Sequence, residues 1–191
     1  MKRKILYIAA ILICLSIITS GTLAYYTASD TARNVITSGG VDIKVIEQQL
    51  VNGTLQPYPN QPIPVLPATT VSKIVSVQST EQAAWIRTSY TCTVYDADNK
   101  IMEIPADELN KAILIQPDDT CWTLKDGWWY YNSALKAGET TKPLFEEVSF
   151  SGKYMDNKFQ LCTLVIDVTA QAVQQANNGT SATEALGWPE T

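Results

Sequence analysis

The chain's 191 residues contain no histidine, and that one omission removes the most familiar catalytic arrangements. A Ser-His-Asp or Cys-His nucleophile, an HExxH zinc site and an imidazole acid or base near neutral pH are all impossible. Any enzyme chemistry must come from carboxylates, Lys or Tyr. Asp96, Asp98 and Asn99, and the pair Asp118 and Asp119, place oxygen donors in turns, as a weak calcium site would. Neither matches EF-hand spacing, which needs Gly at the sixth loop position and Glu at the twelfth. Turn-forming Asp and Asn ordinarily cap local backbone groups instead. Glu146 and Glu147 are neighbours in a strand-like segment, where successive residues face opposite ways, so they are not expected to form one catalytic pair. With no two acids at a recognisable spacing, the expectation is no catalytic site, no metal and no cofactor; a peptidase is the least favoured alternative.

Two further sets of side chains have chemical potential. Trp122, Trp128, Trp129, Tyr130 and Tyr131 cluster around one Asp126-Gly127 turn, a signal for a primed hairpin turn. Alternation sets Trp128 and Tyr130 on one face and Trp129 and Tyr131 on the other, so Trp122, Trp129 and Tyr131 are candidate rings for stacking on a sugar. The competing expectation is cross-strand aromatic packing. Cys92, Cys121 and Cys162 lie in strand-like apolar segments and form no CxxC, which argues against zinc and favours buried thiols without a disulfide.

The elements that must position these groups are strands. Val41 to Glu47 and Val71 to Val77 alternate apolar with polar residues and are rich in β-branched side chains. Segments 84–95, 113–116, 121–124, 128–131, 144–150 and 159–172 complete about eight strands separated by turn signals. Helix is expected only over Pro105 to Ala112, where Pro and acids occupy the first turn, and over Ser181 to Leu186. Leu55 to Pro67 holds five prolines in thirteen residues, so it cannot be a central strand and reads as a crossover over one end of a sandwich. The fold class is therefore all-β: a jelly-roll-like antiparallel β-sandwich with one or two short helices.

At the amino terminus, Lys2, Arg3 and Lys4 precede the apolar run Ile5 to Ile18 and the small residues Thr22 and Ala24, the pattern of a secretory signal. A run of about 14 residues makes a helix of roughly 21 Å, short of the roughly 30 Å hydrocarbon layer. Cleavage is expected between Ala24 and Tyr25, dividing the chain into a leader (1–24), an arm (25–40) and a sandwich domain (41–191). Losing the three leader cations from the 14 basic residues leaves 11 against 19 acidic ones, a net charge near −8. Such a surface repels phosphate backbones, so no nucleic-acid partner is expected, and the membrane matters only during secretion. The arm is rich in β-formers, carries only Asp30 and Arg33 as charges and ends in Gly39-Gly40. Its candidate strand residues, Tyr25, Tyr26, Thr27, Val35 and Ile36, suit β-augmentation of a neighbouring subunit, or a first strand folded back on their own molecule.

The leader, its Ser20-Gly-Thr-Leu-Ala-Tyr-Tyr-Thr-Ala-Ser-Asp30 junction and the following Ser38-Gly-Gly-Val-Asp-Ile-Lys resemble the exported TasA/camelysin family of Gram-positive bacteria. Looser similarity runs through Trp85-Ile-Arg, Asp126-Gly-Trp-Trp-Tyr-Tyr, Pro143-Leu-Phe and Ile166-Asp-Val-Thr-Ala-Gln-Ala-Val. The resemblance implies a leader trimmed by a dedicated signal peptidase and a jelly-roll-like domain in the extracellular matrix or at the cell surface. It also implies fibres of biofilm matrix, built when each subunit donates its N-terminal strand to the next. The implied partner is a second copy or a related exported subunit. Relatives are also classed as metallopeptidases, but a chain without His offers no matching ligands. The alternative is a monomeric surface adhesion or glycan-binding module using the Trp hairpin.

Overall fold

The computed structural model describes residues 26–30, 35–37, 41–59, 63–159 and 161–189. The leader and the cut between Ala24 and Tyr25 lie outside the described residues. Among the described residues twelve strands form two sheets. The first comprises β1 (Tyr26–Asp30), β2 (Val35–Thr37), β5 (Ile63–Val65), β7 (Ala84–Tyr95), β9 (Trp122–Lys125), β10 (Trp128–Tyr131) and β12 (Thr163–Gln174), in the order β5-β1-β12-β7-β10-β9, with β2 also paired to β12. The second is β4-β3-β6-β11-β8, built from β3 (Ile43–Val51), β4 (Thr54–Pro57), β6 (Thr70–Ser79), β8 (Ile113–Ile115) and β11 (Phe145–Phe150). A short α-helix, α1 (Ala106–Ala112), leads straight into β8. The protein is an all-β sandwich whose ladders are antiparallel except where β1 and β2 meet β12.

The axis of the first sheet is the β7–β12 ladder, in register without a break from Ala84↔Gln174 to Tyr95↔Thr163. Period-two patterning explains it. Leu164, Ile166, Val168, Ala170 and Ala172 of β12, with Ile86 and Val94 of β7, turn into the space between the sheets. From the other side Val75 and Val77 of β6 and Phe145, Val148 and Phe150 of β11 fill it. Tyr90 meets Phe145 edge-to-face across the core at 5.4 Å. Fully burying a side chain such as Phe145 stabilises the fold by about 1.5–3 kcal/mol.

Turn chemistry fixes the hairpins. The β9–β10 turn holds Asp126 at φ 51° and Gly127 at φ 79°, and β3–β4 closes through Asn52 at φ 50° and Gly53 at φ 78°. Two successive left-handed residues give the primed turn that matches strand twist, and glycine adopts that conformation without a Cβ penalty. In the Pro-rich stretch the chain leaves β4 at the rim of the second sheet and enters β5 at the rim of the first. Ser181 to Leu186 departs from expectation. Glu184 and Ala185 N–H both donate to the Ser181 carbonyl and the chain makes a turn, not a helix, as Gly187 at φ 79° redirects it.

After β12 the chain doubles back over the outer face of the first sheet. Ala182, Ala185 and Trp188 pack there with Trp85, Tyr130 and Val173 in a second apolar cluster. Trp85 Nε1 donates to the Asn178 carbonyl at 2.8 Å. Arg87 sits within this cover, its guanidinium 4.3 Å from the Trp128 ring and 4.8 Å from the Trp188 ring. It donates to Gln171 Oε1, Tyr130 Oη and the Pro189 carbonyl. Desolvated guanidinium–indole stacking contributes about 1–2 kcal/mol.

Candidate functional site

The arm residues lie along one strand. Tyr26 and Thr27 fall in β1, whose residues Thr27 to Asp30 pair in parallel with Thr163 to Ile166 of β12. Val35 and Ile36 fall in β2, which pairs in parallel with Ala170 to Ala172. Tyr25 lies outside the described residues. Both segments thus run along the β12 edge opposite β7, within the same molecule. On its far side β1 pairs with three-residue β5, where Pro64 stands opposite Thr27 and offers no N–H to a further strand.

The second sheet holds a buried charged pair. Lys73 of β6 and Glu47 of β3 meet at 3.2 Å with side chains 2% and 6% exposed. Lys73 Nζ also sits 4.1 Å from the centre of the Tyr58 ring. Glu47 pairs with Val75 in the β3–β6 ladder, which puts it diagonal to Lys73. Register with β11 is irregular here: β6 steps from Val75 to Ser72 while β11 steps from Phe145 to Glu147. The sequence analysis missed this pair, although the signal was present. Ile43, Val45 and Glu47, and Val71, Lys73, Val75 and Val77, are two inward-facing rows in which one residue carries charge.

The proposed ligand-stacking rings turn inward, which corrects that expectation. Trp122 is 1% exposed, donates Nε1 to the Lys142 and Pro143 carbonyls, and lies 5.0 Å from the Tyr131 ring. Trp129 and Tyr131 are half-buried against the same core, and the Tyr131 hydroxyl accepts from Lys142 N–H. The C-terminal cover occupies the opposite face with Trp128 and Tyr130. Cross-strand packing therefore accounts for the cluster, because both faces of this hairpin have something to cover.

Acidic turns are satisfied locally. Asp96 Oδ1 accepts from Asp98 and Lys100 N–H, and Asp118 Oδ1 accepts from Thr120 N–H and its hydroxyl. The Thr120 hydroxyl bond holds the Asp118 carboxyl below its usual range. Among the described residues no group of three His, Cys, Asp or Glu side chains is placed to hold a metal. Glu146 and Glu147 do not face opposite ways as alternation requires. Both lie on the exposed side between buried Phe145 and Val148, because the β11 register shifts there. With Asp118 they border a cleft of about 470 Å³.

No disulfide links Cys92, Cys121 and Cys162. Burial, then the nearby Asp167 carboxylate, pushes the Cys92 thiol up to about 11 against an opposing pull from Lys73. Burial also raises Cys162. Among the described residues no helix is long and apolar enough to cross a membrane. Compared with known proteins, the chain matches no family model, no curated protein and no solved structure.

Proposed function

We propose that this chain is an exported structural subunit that assembles into cell-surface or matrix fibres by passing its N-terminal arm to the β12 edge of a second copy. One observation carries the reading: β1 and β2 both pair with the same edge of β12 in the first sheet, with the Pro-bearing β5 on the far side of β1. An edge that accepts its own arm accepts the same arm from a neighbour by the same backbone bonds, which is strand exchange. The secretory pattern of the leader and the resemblance to TasA/camelysin proteins point to the same role outside the cell. A histidine-free chain with locally capped acids favours this structural role over catalysis.

Electron microscopy of purified protein beginning at Tyr25 tests the proposal. Fibres are expected from the intact chain and their loss on deleting residues 25–38. Monomers that persist under all conditions, indifferent to the deletion, would contradict it.

A further inference from the structure

The β7 ladder has a gap on the side away from β12. At one end of the gap Thr88 pairs with Trp129 of β10, and at the other the Val94 carbonyl accepts from Met102 N–H. In an antiparallel ladder the peptide groups of alternate residues point to the same side, so those of Tyr90 and Cys92 face the way those of Thr88 and Val94 do. Among the described residues no strand pairs with them there, while β12 takes the opposite side along the whole of β7. At roughly 3.3 Å per residue the opening runs about 20 Å from Thr88 to Val94. Beside it lies a cavity of about 280 Å³ lined by Tyr90, Cys92, Asn110, Ile113, Leu114 and Ile115. Its far wall is β8, the outermost strand of the second sheet, where Leu114 is 45% exposed.

We infer that this gap is a binding slot for an extended, uncharged peptide segment of a partner protein, which pairs with the open edge of β7 and places apolar side chains in the cavity. Backbone chemistry sets the form of the occupant. Two N–H groups and two carbonyls at alternate positions match a strand, which offers its own at the same spacing. The flanking pairs set its length, because Trp129 and Met102 already hold the two ends and leave room for about three to five residues. The lining sets its side chains. None of the six lining residues is charged, so an ionised group entering the cavity would lose its hydration without gaining a partner. Burial also pushes the Tyr90 hydroxyl and the Cys92 thiol up from their ordinary values, which keeps both walls neutral. The chain's own arm is paired along β12, on the side away from β7, so the slot is left to a segment of another protein. This assignment stands whether or not arms are exchanged between copies.

Amide hydrogen exchange of the purified protein, with and without the peptide acetyl-Thr-Val-Thr-Val-Thr-amide, reads the slot directly. At saturating peptide, exchange should slow at least tenfold at Tyr90 and Cys92 and stay unchanged at Thr91, whose peptide groups face Asp167 of β12. The same peptide with Lys in place of both Val should give no protection. Asn110 is exposed on α1, so Asn110→Trp should close the mouth of the cavity and weaken peptide binding at least tenfold while the fold persists. No protection by the Val peptide, protection shared equally by Tyr90, Thr91 and Cys92, or equal binding by the Lys peptide or by Asn110→Trp would overturn the assignment. Protection of Tyr90 and Cys92 that grows with protein concentration in the absence of peptide would put a second copy in the slot and overturn the choice of partner.

Discussion

Lys73 is the residue on which the core makes its most unusual demand. A buried ammonium is tolerated because Glu47 and the Tyr58 face compensate its lost hydration. Removing one partner leaves the other charge stranded, so Lys73→Met should cost about 3–5 kcal/mol in urea unfolding, and adding Glu47→Leu should recover much of that loss. Trp122 makes the converse case. Its ring fills the core and its Nε1 is satisfied by two carbonyls, so Trp122→Ala should cost about 3–5 kcal/mol through the cavity it opens. Cys92 supplies the pH dependence. Its thiol titrates at about 11 in the fold against an ordinary 9.0. A raised value favours the neutral thiol in the native state. That stability is fully present below pH 9 and is lost as pH rises through about 11, where only the unfolded chain ionises freely. Urea unfolding between pH 8 and 11 should show the decline, and Cys92→Ala should flatten it.

Among the elements, the long strands were legible because their side chains obey a period of two. β7 and β12 emerge from runs such as Ala84 to Tyr95 with few ambiguities, since both faces of each strand have partners. Three things were not legible, each for a physical reason. The register shift at Phe145 to Glu147 depends on the neighbouring strand and cannot be seen in Glu146 and Glu147 themselves. The inward turn of Trp129 and Tyr131 depends on a C-terminal cover that claims the other face of the hairpin. Short β4 and β5 are hidden in a Pro-rich segment, where propensity argues against any strand and only the edge positions tolerate one. That cover is itself testable. Trp188→Ala removes an aromatic contact at 5.6 Å with Tyr130 and one side of the Arg87 sandwich. It should lower stability by about 1–3 kcal/mol in urea unfolding and raise the accessibility of Trp85 and Trp128 to fluorescence quenchers.

For the whole molecule, the decisive feature is an asymmetry between the two ends of the chain. The C-terminal segment is fastened by several independent bonds, among them those of Trp85, Arg87 and Lys125. The arm segments β1 and β2 pair along one edge of β12, and β1 also pairs with β5. Under the proposed function, that arm is the part a second copy would exchange. Thr27 and Thr163 are opposed in that pairing and give the most direct measurement. In a background with Cys92, Cys121 and Cys162 replaced by Ala, one preparation carries Thr27→Cys and another Thr163→Cys, and the two are mixed under mild oxidation. The account predicts disulfide-linked dimers, one copy of each variant, that accumulate with time at twice the mass of the single chain. Cross-linking confined to a double variant within single molecules, with none between mixed partners at any concentration, would contradict it.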